Sequence, residues 1–146
     1  MGRVLALSMA FAAGLMMSIQ PAVNASLGRK VGVLEGALIS FIVGTLALIF
    51  IVFVFGRGNV MDIKEVPWYL LTGGLMGVFV VTTMILIIPV VGSGIGAITI
   101  LTGQMMMAMI IDHYGLLGVP KIPFDMNRLL GIVLLFVSMR LIIGRL

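Results

Sequence analysis

The chain has 146 residues, 62% of them hydrophobic and only 10% charged, and its mean hydropathy of +1.32 lies far outside the range of soluble domains. Nine basic against five acidic residues leave a net charge of +4, which in so apolar a chain belongs to loops at a lipid surface and not to a nucleic-acid stripe. Zero cysteines and a single histidine, His113, exclude disulfides, iron–sulfur clusters, thiolate sites and histidine metal centres, so no metal and no cofactor are expected.

A spanning helix needs about 20 residues. Five apolar runs therefore use most of the chain and leave no room within it for a soluble catalytic domain; an enzyme is not expected. The first run covers residues 3–27 and contains Pro21. Arg3 before an apolar stretch resembles a signal peptide, but no clean small-x-small cleavage site follows and four more spans do, so the segment is expected to stay as the first span. Gly28-Arg29-Lys30 reads as its end. The second run, 31–55, is broken by Gly56-Arg57-Gly58-Asn59, and an amphipathic connector with Asp62, Lys64 and Glu65 follows. Pro67 opens a third helix over 67–88, which Pro89 closes.

The glycine-rich Gly92-Ser93-Gly94-Ile95-Gly96 leads into a fourth helix over 95–114. It is neither a nucleotide fingerprint nor a nucleophile elbow, because it follows a membrane helix and not a strand. After a loop with Pro120 and Pro123, Asp125 caps a fifth helix over 126–143. The expected architecture is all-α: one transmembrane domain over residues 1–146, an integral membrane protein of five transmembrane helices.

Alternating loops make the basic residues countable by side. Arg3, Arg57, Lys64, Lys121 and Arg128 share one side; Arg29, Lys30 and Arg145, with Arg140 if it reaches outward, share the other. Five against three or four is too weak a bias to impose one orientation. The same chain could then insert both ways up, and two copies would form an antiparallel homodimer with an inverted repeat, the plan of many transporters.

Small residues recur at four-residue spacing: Ala10, Gly14 and Ser18; Gly32, Gly36, Ser40 and Gly44; Gly73 and Gly77. Such stripes let helix backbones approach closely in lipid, either within one chain or between two. The thirteen methionines, with Met105-Met106-Met107 among them, serve as core filler or as an adaptable cavity wall.

Polar groups inside spans are costly and so carry the functional candidates. Glu35 lies about 6 Å into the second helix at 1.5 Å per residue. It either reaches back to the interface beside Arg29 and Lys30 or is a partly desolvated carboxylate that trades a proton against a cationic substrate. Gln20 and Asn24 share a helix face, and Pro21 leaves the Met17 carbonyl without its helical donor. Gln104, mid-helix, needs a partner: another helix or a ligand. Trp68-Tyr69 reads as an aromatic belt, with a pocket wall as the alternative. Asp112 and His113, about 100° apart on their helix, do not face each other and read as its polar end.

Taken together, Ser18 to Gly28, Ser40 to Leu48, Pro67-Trp68 with Gly73-Gly74-Leu75-Met76-Gly77, Gly103-Gln104 and Ile111 to Gly118 resemble the YdcZ-like family of the drug/metabolite transporter superfamily. The resemblance covers nearly the whole chain. It implies a five-helix protein of the bacterial inner membrane, working as a dual-topology homodimer, as paired antiparallel chains or as a ten-helix fusion. Gln20, Asn24, Ser40, Trp68, Gln104, Asp112 and His113 fall in matching segments; Glu35 and Arg140 do not.

The expected function is a small proton-coupled secondary exporter of small organic solutes or cations, acting by alternating access. Gln20, Asn24, Glu35, Trp68 and Gln104 are the expected substrate contacts, Glu35 the expected proton carrier, and Gly14, Ser18, Gly36, Ser40, Gly44, Gly73 and Gly77 the packing residues. The alternative is a membrane assembly or regulatory subunit that pairs with another chain. A passive channel is disfavoured because no ring of charge repeats along a helix.

Overall fold

A computed structural model describes residues 2–144. Among them there is no strand. The helices are α1 (Arg3–Val31), α2 (Val33–Phe55), α3 (Gly73–Val91), α4 (Ser93–Tyr114) and α5 (Met126–Ile143), with short 3-10 stretches at Val60–Glu65, Trp68–Thr72 and Leu116–Gly118. Five segments are long and apolar enough to cross a membrane, the third being Trp68–Val91 with its 3-10 entrance included. The chain divides into two compact units, Met1–Val90 and Val91–Leu146.

In the first unit α1 and α2 meet at glycine. A Cβ on Gly36 would stand 2.9 Å from the Gly28 Cα and 3.1 Å from its nitrogen, and a Cβ on Gly28 would overlap the Cγ2 of Ile85 on α3. Around this crossing Ala25, Ala37, Met84, Ile85 and Ile88 are buried. Close backbone approach replaces the hydrophobic effect, which does not drive helix association in lipid. Most large apolar side chains elsewhere are exposed, Phe53 to 89%, as suits faces that meet acyl chains.

The crossing explains why α1 runs one turn past its expected end. Gly28 is buried inside the helix as a contact surface, and the break falls at Gly32, whose φ of 105° only glycine adopts freely. Pro89, expected to close α3, lies inside it instead; the helix ends at Val91, and Gly92, at φ 82°, makes the turn. A proline in the last turn costs one backbone hydrogen bond, and neighbouring groups in membrane helices compensate for such a loss. At the other end Pro67 opens a 3-10 turn, closed by Thr72 Oγ1 donating to the Tyr69 carbonyl at 2.7 Å, and α-helical geometry starts only at Gly73.

The stripes of small residues split in two. Gly36 and Ser40 pack within the chain, and a Cβ on Gly77 would stand 3.5 Å from the Phe41 ring. A Cβ at Gly14, Gly44 or Gly73 would meet nothing within 4 Å. Ser18 turns its hydroxyl back to its own Gly14 carbonyl.

In the second unit α4 packs along α5. Gly115, at φ 65°, ends α4 and donates to the Asp112 and Ile111 carbonyls, and Asp125 caps α5 by accepting from the Arg128 N–H at 2.8 Å. The connector folds back onto α4, where the Asp112 carbonyl also accepts from Ile122 N–H at 2.8 Å.

Candidate functional site

The sequence candidates converge best on the end of α1. Asn24 is 6% exposed, and its Oδ1 accepts from the Ser40 hydroxyl on α2 at 3.0 Å. One turn earlier, Gln20 is exposed. Both side chains line a groove of about 370 Å³ with Met16, Met17 and Val23. The Gly28–Gly36 approach brings the helices close enough for Asn24 to reach Ser40, so part of the polar pair is committed to holding the helices together. Gln20 takes no part in that bond.

Glu35 occupies the third position of α2, exposed, with its carboxylate folded over the Cα of Gly32. A negative charge at a helix N-terminus is favoured by the peptide dipoles. The expected neighbourhood differs in detail: among the described residues Glu35 makes no ion pair, and Arg29 donates to Ser26 Oγ at 2.9 Å.

Trp68 is exposed at the start of its 3-10 turn, edge-on to Tyr69 with 6.4 Å between ring centroids. Gln104 is exposed on α4, in the second unit. Arg140 folds forward to donate to the Gly144 carbonyl at the end of its own helix, a favourable place for a cation.

Two contacts were not anticipated from the sequence. Arg128 donates to Asp112 across α4 and α5 at 3.2 Å, both side chains partly buried. His113 turns the other way, and its Nδ1 accepts from the Phe124 N–H at 3.1 Å. Asp112 and His113 therefore serve separate partners, as their 100° separation implies. The missed signal was electrostatic: Asp112 in the last turn of α4 and Arg128 in the first turn of α5 each carry the wrong sign for their helix end, and two such misplacements together point to a pair.

Exchanging the two charges, Asp112→Arg with Arg128→Asp, is expected to keep the ion pair and place both charges favourably. Each single change should lower thermal stability by about 0.5–1 kcal/mol, while the double variant should match or exceed the original. Melting curves in detergent check this, and a double variant less stable than either single one would refute the dipole argument.

The model of the family described as "Putative inner membrane exporter, YdcZ" matches residues 5–141. No curated protein and no solved structure matches the chain. A match over nearly the whole length, on a chain with five apolar helices, points to a transporter rather than an enzyme. The chain belongs to the YdcZ inner-membrane exporter family, and it is a multi-pass protein of that membrane.

Proposed function

We propose that the chain is a proton-coupled secondary transporter that exports small organic solutes, cations among them, by alternating access in an antiparallel pair of identical chains. The observation that carries this reading is the polar line Gln20–Asn24–Ser40 on two membrane-spanning helices whose remaining small residues, Gly14, Ser18 and Gly44, stay exposed. A second, inverted copy would cover those stripes with its own. The weak charge bias supports the inversion, since neither end is strongly held to one side.

In this reading Gln20 and Asn24 hold the solute by hydrogen bonds, and Glu35, at the mouth of the same helix pair, exchanges a proton for it. A carboxylate can hold a proton or pair with a cation but not both, and that exclusion couples the two fluxes. Alternating access follows from symmetry: two inverted copies present the same site to opposite sides in turn.

The test is flux in proteoliposomes under an imposed pH gradient, with a panel of small organic cations. Saturable, gradient-dependent uptake is expected. Glu35→Gln should lower the gradient-driven rate at least ~10-fold, a loss of about 1.4 kcal/mol of coupling, and leave the remaining flux independent of pH. A Glu35→Gln protein that transports at the original rate with the same pH dependence removes the carboxylate from the mechanism.

A further inference from the structure

The end of α4, its connector and α5 line an open cleft of about 490 Å³ with Met106, Met109, Ile110, His113, Tyr114 and Phe124. That volume falls in the range of small-molecule sites. We propose that this cleft binds a neutral, apolar ring compound that carries one hydrogen-bond acceptor.

Each part of that description follows from the wall. Two thioethers and two aromatic rings favour a flat ring, which meets sulfur and ring edges at once. His113 and Tyr114 already stand edge-to-face with 4.8 Å between centroids, which holds the imidazole in place.

No Asp, Glu, Lys or Arg lines the cleft. The adjacent Asp112 and Arg128 neutralise one another. The neutral imidazole has one tautomer open to it: Nδ1 accepts from the Phe124 N–H, so the proton must sit on Nε2. The imidazole therefore has a donor left and no acceptor, and the Tyr114 hydroxyl, also in the lining, adds a second donor. A cation finds no counter-charge here, and a ring that carries an acceptor can accept a hydrogen bond from the imidazole or the phenol, which a pure hydrocarbon cannot.

The site does not depend on the transport reading, and its test measures binding and not flux, so the failure of either is told apart from the failure of the other. The full chain in lipid nanodiscs is irradiated with benzophenone, a neutral two-ring ketone that crosslinks on illumination, and labelled peptides are mapped by mass spectrometry. Labelling is expected to saturate and to concentrate on the peptide holding Met106 and Met109.

Met106 is exposed at the cleft, so Met106→Trp fills the space without touching the buried core and should lower that labelling at least ~10-fold. Fluorenone and fluorene, alike in shape but with and without the acceptor, should compete with a concentration ratio of about 5 in favour of fluorenone, the worth of one hydrogen bond. Labelling that never saturates and spreads over all helices makes the cleft a furrow for acyl chains and overturns the proposal. So does equal competition by the two compounds, or labelling of the Met106–Met109 peptide that Met106→Trp leaves unchanged.

Discussion

Chains locked into a single orientation are expected to lose transport when made alone and to regain it when two oppositely locked versions are made together. Gly58→Lys with Val60→Lys adds two charges to the connector between α2 and α3; Ser93→Lys with Gly94→Lys adds two to the opposite side. All four positions are exposed, so the fold is not expected to suffer. Against a tally of five to three or four, the first pair makes seven to three or four, while the second pair is combined with Arg57→Gln and Lys64→Gln, both also exposed, to make three to five or six; orientation follows the Lys and Arg count of short loops. A reporter after residue 146 reads the orientation, and flux reads the assembly. Each version alone should transport at least ~10-fold more slowly than the original, and the mixture should approach it. A singly oriented chain that transports normally by itself would end the antiparallel reading.

Gly36→Leu is the substitution expected to damage the fold most. Its Cβ alone would stand 2.9 Å from backbone on α1, and backbone cannot rotate away as a flexible side chain does. Overpacking of this kind costs about 1–3 kcal/mol. Pushing α1 from α2 also draws Ser40 off the buried Asn24, and interhelical hydrogen bonds in membranes average about 0.6 kcal/mol with a maximum near 1.7. The expected result is a clear drop in melting temperature and in the yield of monodisperse protein. Gly44→Leu, two turns further along the same helix, adds a Cβ that meets nothing within 4 Å and should leave the chain's own stability nearly unchanged while weakening assembly. Equal damage from both would mean that the Gly28–Gly36 approach does not hold the unit together.

These two substitutions mark the boundary between what sequence and structure each reveal. Gly36 and Gly44 look identical in the sequence, both in the same four-residue stripe. Spacing selects a helix face, but it cannot tell which turns along that face have a neighbour, since this depends on where α1 crosses α2. For the same reason Gly28 reads as a helix stop when its backbone is in fact a packing surface, and Pro89 reads as a stop although α3 continues past it. Asn24 was legible as a polar group in the wrong solvent; its reach to Ser40 was not, because the crossing that brings them together is made by glycines that carry no chemistry of their own.

The Asp112–Arg128 pair and the His113–Phe124 bond lay hidden for a different reason: both depend on a connector with two prolines folding back on α4, which no periodicity describes. By itself the sequence determined the solvent of the chain, its five spans and its family, because burying apolar side chains in lipid depends on composition and length alone. Only the tertiary structure decided which small residues touch, where Glu35 rests and how α4 and α5 line a cleft, because those depend on the crossing of helices, a property of pairs of elements and not of any one of them.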